Sequence, residues 1–275
     1  MSAAGPAPML ASLPMYDLPE LAAATDSWWR GLAAAFRRAG LAEVPGRLTR
    51  EVALPAHWLD PALLFSQTCG YPLTHALAGR VGLLGTPCYA APGCEGPLYR
   101  SLVLVAEGSP ARSLAELRGQ VAAMNGRDSQ SGCNVLRALL APHAAGGRFC
   151  GAVLETGSHA ASIAAVAAGR AGFAAIDCVT HALLARRRPA ALAGTRVLLE
   201  SPAVPGLPYV AGGAVDEDGR RRLRDGLRAA FADPGLAETR DALLLAGFDE
   251  LPLAAYDAIL AMRRQAEAAG YPELA

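Results

Sequence analysis

SLAELRGQVAAMNGRDSQSG, residues 113–132, holds a complete structural unit. Ser113 and Glu116 stand at capping-box spacing over one helical turn. A short apolar run predicts a strand over 120–124. The polar turn Asp128-Ser-Gln-Ser-Gly132 then opens a helix that Pro142 stops near residue 141. The same order recurs twice downstream. A strand over 152–155 leads through Thr156-Gly-Ser-His159 into a helix over 158–168, which Gly169 closes. A strand over 172–176 ends at Asp177, with a helix starting near Val179. Short apolar runs alternating with helical stretches indicate an α/β architecture. Outward from this core, strands are expected over 11–16, 48–52, 63–66, 81–84, 102–106, 195–199 and 209–215. A helix is expected over 26–39, with Asp26 or Ser27 as its N-cap. Three more helices, over 217–232, 236–246 and 252–269, finish the chain.

The composition excludes several functions. The 275 residues contain 25 Arg and no Lys. A Walker A phosphate loop, a pyridoxal Schiff base and a lysine general base are therefore absent. Arg 25 against Asp plus Glu 25 gives zero formal charge, which argues against a nucleic-acid-binding face. No apolar run reaches membrane-spanning length. The first twenty residues show neither the basic region nor the apolar stretch of a signal peptide, so no export address is expected in the chain as written. The six cysteines, 69, 88, 94, 133, 150 and 178, include no C-x-x-C pair. They read either as buried thiols or as a disulfide among Cys69, Cys88 and Cys94 in an oxidising compartment. Charge is unevenly shared: residues 108–202 carry 10 Arg and 5 acids, and the remainder 15 Arg and 20 acids.

The chemistry lies in the polar turns. A helix start offers backbone N–H groups and the positive end of the helix dipole, and Ser or Thr adds hydroxyl donors. Two such starts on neighbouring parallel strands would face one crevice beyond the strand ends and suit an oxyanion. Asp177, at a strand's carboxyl end, is either a helix cap or a ligand acceptor. His159, in a helix's first turn, is either exposed or a neutral ligand-binding group. Tyr16, Tyr71, Tyr89 and Tyr99 are candidates for a pocket wall.

The order LFSQTCGYPL, GTPCYAAPGCEGPLYRSLVL, SLAELRGQVAAMNGRDSQSG and TGSHAASIAAVAAGRAGFAAIDCVT resembles the phosphate/phosphonate-binding family of ABC-transporter substrate-binding proteins, of the type II periplasmic-binding-protein fold. The resemblance covers residues 10–215, and the C-terminal helices fit it too. It implies two α/β lobes with a ligand cleft between them: 1–107 with 203–275, and 108–202. It places a phosphonate on Ser129, Ser131 and the N–H groups of Gly132 and Cys133. Thr156, Ser158, His159 and Asp177 line the same cleft, and Tyr16, Ser66, Gln67, Thr68 and Tyr99 reach it from the other lobe.

The resulting expectation is a non-enzymatic, monomeric protein that captures a small phosphonate- or phosphate-like anion by lobe closure. Its partner would be an ABC permease. No cofactor, metal, nucleic acid or membrane span is expected. The resemblance implies the periplasm, and the start of the chain leaves the cytoplasm open. The alternatives are a cytoplasmic ligand-sensing module and a Cys/His enzyme, with Cys178, Cys133 or Cys94 as nucleophile and His159 as base. The clusters Arg186–Arg188 and Arg220–Arg222 are partner surfaces or, more simply, solvated helix faces.

Overall fold

A computed structural model describes residues 9–50 and 52–275. In chain order its strands are β1 (Leu10–Ala11), β2 (Leu63–Gln67), β3 (Gly82–Tyr89), β4 (Leu98–Tyr99), β5 (Ser101–Ala106), β6 (Val121–Met124), β7 (Ala152–Glu155), β8 (Phe173–Asp177), β9 (Thr195–Glu200), β10 (Val204–Pro205), β11 (Tyr209–Ala211) and β12 (Leu245–Asp249). The helices are α1 (Ala22–Arg38), α2 (Gly70–Thr74), α3 (Val135–Leu140), α4 (His159–Ala167), α5 (Cys178–Arg187), α6 (Glu217–Ala232), α7 (Ala237–Ala242) and α8 (Asp257–Ala268). Two compact units result. The first comprises the chain up to Tyr89 with Gly206–Leu253, and the second Ala90–Pro205 with Ala254–Ala275.

The first unit is built on a sheet of order β1-β2-β11-β3-β12. β1 runs parallel to β2, while β11 is antiparallel to β2 and β3, and β12 is antiparallel to β3. Helix α1 buries Thr25, Trp28, Trp29, Leu32 and Phe36, the spacing of a single apolar face. Phe65 of β2 receives that face. Its ring centroid lies 5.3 Å from Phe36, 5.9 Å from Trp29 and 5.1 Å from Tyr209. Helix α6 starts where the Asp216 carboxylate accepts the Gly219 N–H at 2.8 Å. Its Arg220, Arg221 and Arg222 pair with Glu217 and Asp218 of the same helix, Arg221 exposed and the other two half-buried.

The second unit carries a sheet of order β7-β6-β8-β5-β9. β6 is parallel to β7 and β8, and β5 is antiparallel to β8 and β9. All five residues of β8 are buried, as expected of a central strand covered on both faces. Val103, Leu117, Met124, Leu136, Phe149 and Phe173 form the core, and Ala266, Tyr271 and Leu274 from the end of the chain join it.

Several expectations change. The lobe boundaries at 107 and 202 fall instead at 89/90 and 205/206, and the last 22 residues return to the second unit. The cause is pairing: β5 lies between β8 and β9, and α8 is tied to the turn before α3 by Asn134 Nδ2 donating to the Ile259 carbonyl at 3.2 Å. The strand expected over 11–16 is only Leu10–Ala11, and none forms at 48–50 or 52, with Glu51 outside the described residues. The strand expected over 209–215 ends at Ala211. Asp26 does not cap α1, which starts at Ala22; its carboxylate accepts from Arg50 at 2.9 Å instead. The helix expected over 236–246 stops at Ala242, and Leu245–Asp249 pairs with β3. Phe65→Ala should destabilise the protein by about 3–5 kcal/mol, measured by urea denaturation, because it empties the centre of the first unit's aromatic cluster.

Candidate functional site

Because β7, β6 and β8 are parallel neighbours, their carboxyl ends open on the same edge of the second unit's sheet. Each end leads into a capped helix start. After β6, the Ser129 hydroxyl accepts the Gly132 N–H at 3.0 Å and begins a π-helical turn, Gln130–Asn134, that runs into α3. After β7, the Ser158 hydroxyl accepts the Ala161 N–H at 3.1 Å and begins α4. After β8, the Asp177 carboxylate accepts the Thr180 N–H at 2.8 Å and the Thr180 hydroxyl at 2.5 Å, and begins α5. Three positive helix ends thus converge where the notional crevice of a parallel sheet lies.

His159 joins the three turns. Its Nε2 lies 2.8 Å from Ser131 Oγ and 3.3 Å from Asp177 Oδ2. A ring nitrogen carries one proton or one lone pair, so Nε2 cannot serve both oxygens fully. Burial holds the imidazole below its ordinary pKa, while the Asp177 charge and the Ala175 carbonyl pull the other way. His159 Nδ1 and the nearby Asn125 Oδ1 are buried and make no hydrogen bond of acceptable geometry. Gly132 permits this crowding. A Cβ there would stand 1.9 Å from Asn125 Oδ1 and 3.3 Å from the His159 ring. Both oxygens meet one ring nitrogen, so this is not the relay of a hydrolytic triad, in which nucleophile and orienting acid use opposite nitrogens of the histidine.

The predicted site residues divide by place and by role. Ser129, Ser131, Gly132, Thr156, Ser158, His159 and Asp177 all lie in the three turns. The N–H groups of Gly132 and Cys133, expected to face an anion, instead close the cap on the Ser129 hydroxyl and carbonyl, at 3.0 and 3.3 Å. The Cys133 side chain belongs to the hydrophobic core. The Thr156 hydroxyl is engaged by the Met124 carbonyl at 3.0 Å and by Ser162 at 2.7 Å. Tyr99, expected from the opposite lobe, is buried in β4 of the second unit.

In the first unit, Ser66 is fully buried against the Ser12 hydroxyl at 2.8 Å and Trp58 Nε1 at 3.2 Å. Thr68 is buried too, its N–H held by the Pro208 carbonyl. Tyr16 and Gln67, by contrast, line a pocket with Trp28, Tyr89, Tyr209 and Leu243. Gln67 Nε2 donates to Tyr89 Oη at 3.1 Å, which fixes the amide in that wall. Asn125, Trp28 and Tyr209 were not singled out from sequence. Asn125 alone carried a usable signal, as the polar residue directly after β6.

Two outcomes follow. Gly132→Ala should cost about 1–3 kcal/mol by overpacking against Asn125, read as a lowered Tm. Burial also holds His57 and His181, like His159, below the ordinary histidine value. The unfolded chain therefore binds protons that the folded chain refuses. Stability should be full above about pH 6.5 and fall as the pH drops below it. His159→Gln should flatten that fall in urea midpoints compared at about pH 5 and about pH 7.

Residues 67–256 match the family described as ABC transporter, phosphonate, periplasmic substrate-binding protein. No curated protein matches. Among solved structures, a binding-protein component of an ABC phosphonate transporter from Pseudomonas aeruginosa is similar at TM-score 0.75 and 16% identity, over 95% of this chain and 87% of that one. PhnD1 from Prochlorococcus marinus, in complex with methylphosphonate, is similar at TM-score 0.72 and 14% identity, over 94% and 98%. A Xanthomonas citri protein bound to ATP is similar at TM-score 0.70 and 17% identity, over 96% and 98%. These likenesses establish the periplasmic-binding-protein fold, and the family match over most of the chain goes further: the protein belongs to the phosphonate-binding family of ABC-transporter substrate-binding proteins.

Proposed function

We propose that the protein binds a small phosphonate in the periplasm and passes it to an ABC permease, with the anion resting on the second unit's three helix starts. The observation that carries this reading is the Ser131–His159–Asp177 cluster at the shared ends of β6, β7 and β8. Ser131 is the hydroxyl best placed to turn from His159 to a ligand oxygen. Asp177, already engaged by Thr180, would accept a hydrogen bond from a protonated phosphonate oxygen. Capture by lobe closure, the mode of this family, would then withdraw the anion from water and strengthen each charge-assisted bond.

Isothermal titration with methylphosphonate, 2-aminoethylphosphonate, phosphate and sulfate tests the proposal. Saturable binding of methylphosphonate is expected, and Ser131→Ala should weaken it about 10- to 100-fold, the value of a hydrogen bond to a charged group. No binding of any phosphonate to ligand-free protein would overturn the reading, and unchanged affinity in Ser131→Ala would remove Ser131 from the site.

A further inference from the structure

Cys94 Sγ and Cys178 Sγ lie 3.5 Å apart, although 84 positions separate them in the chain. Both belong to the second unit. Cys94 sits in the turn between β3 and β4, and Cys178 is the first residue of α5. The backbone holds each of them in place. The Cys94 N–H donates to the Ala91 carbonyl at 3.0 Å, and the Cys178 N–H donates to the Arg100 carbonyl at 3.0 Å. Gly93 makes the approach feasible. Its φ is +90°, and a Cβ there would lie 3.1 Å from Cys178 Cβ and 3.4 Å from its sulfur. Cys178 is buried, whereas Cys94 is half-buried and so the more accessible of the two. Of the other cysteines, Cys133 lies in the core and Cys150 faces the Tyr271 hydroxyl at 3.7 Å, and the disulfide expected among Cys69, Cys88 and Cys94 is not formed in the described residues.

We propose that Cys94 and Cys178 are a redox site, a dithiol that closes to a disulfide and clamps the turn after β3 to the start of α5. The sulfurs need to approach by about 1.5 Å more to bond. The oxidant is a small-molecule or protein disulfide. Cys94, the accessible thiol, attacks one sulfur of that disulfide; its S–S bond breaks, one thiol leaves with the Cys94 proton, and a mixed disulfide remains on Cys94. Cys178 then attacks Cys94 Sγ as a thiolate. The mixed disulfide breaks, and the second thiol leaves with the Cys178 proton. Two electrons and two protons have passed from the cysteine pair to the oxidant, and the Sγ–Sγ bond has formed. In the dithiol the local electrostatics favour a thiolate on Cys178 and not on Cys94, whose role in the first step rests on its greater exposure. The hydrogen bond from Cys94 lowers the Cys178 thiol, with burial opposing, while the same pairing and burial raise Cys94. A helix N-terminus also favours the thiolate.

The bond would anchor the residue directly after Asp177, and so hold the helix start that sets the carboxylate against His159. It suits a family that works in the oxidising periplasm.

The test uses the full chain and does not depend on which anion binds. One sample is incubated with glutathione disulfide and another with a phosphine reductant. Both are unfolded, alkylated with iodoacetamide and digested without reduction. The oxidised sample should give one cross-linked peptide pair joining Cys94 to Cys178, with four alkylated cysteines, against six in the reduced sample. Its Tm should exceed that of the reduced protein by several degrees. Cys94→Ser and Cys178→Ser should each abolish the cross-link and the Tm difference while keeping the circular dichroism of the reduced protein. Six alkylated cysteines after oxidation, a cross-link from Cys94 to another cysteine, or a glutathione adduct that stays on Cys94 in the unmutated protein would overturn the proposal.

Discussion

One ring nitrogen between two oxygens governs the second unit. His159 Nε2 can satisfy the Ser131 hydroxyl or the Asp177 carboxylate, and its position requires all three parallel strands to end at one edge. The surrounding features serve that placement. Ser158 starts the helix that carries the ring, Gly132 leaves room beside it, and Thr180 occupies both Asp177 oxygens. The last point matters for an anion site. A bare carboxylate would repel a phosphonate, but one that already accepts two hydrogen bonds at a helix N-terminus has much of its charge answered. The proposed site could therefore keep an acid and still accept an anion.

The same site is built without lysine and with little net charge. With the boundaries that the fold imposes, the second unit has 13 Arg against 10 acids and the first 12 against 15. That is a smaller contrast than residues 108–202 suggest, because Glu95, Glu107 and Glu273 join the second unit with only Arg100 against them, while the charges of α8 cancel. The one deeply buried Arg in the core of this unit is Arg137. It donates to the Pro272 carbonyl at 3.0 Å and to Asn134 Oδ1, so it ties the chain's last turn to the π-helical turn behind Ser131. Positive charge here fastens the scaffold. In the proposed site the anion would be left to hydroxyls, an imidazole and helix ends, groups that recognise oxygen geometry more than total charge.

How much of this was legible in sequence depends on distance along the chain. The units β6–turn–α3, β7–turn–α4 and β8–Asp177–α5 are local, with periodicity, cap and glycine punctuation all within about twenty residues. They were read correctly, and they hold Ser131, His159 and Asp177. What depends on pairing across the chain was not legible. The apolar run from Leu243 fits a helix or a strand equally well, and only β3 decides for β12. The return of α8 to the second unit rests on Asn134, far from it in sequence, and on the core contact of Tyr271 just beyond its end. Ser66 looked like a ligand group because hydroxyls at strand ends often are. Ser12, His57 and Trp58 make it part of a buried network instead.

The caps that disappoint as ligands explain the geometry of those that remain. The N–H groups of Gly132 and Cys133 and the hydroxyls of Ser129 and Thr156 are spent on the protein itself. Spending them fixes the loops before a ligand arrives, so their ordering entropy is met in folding and not in binding. Among the polar atoms of these turns, the doubly claimed His159 Nε2 and the buried Asn125 Oδ1 are left under-satisfied. Under-satisfied polar atoms on a rigid frame cost stability, and a ligand that satisfies them recovers that cost on binding. A site so built gains selectivity from what it withholds in the free state, because a ligand of the wrong shape leaves the same atoms unpaired.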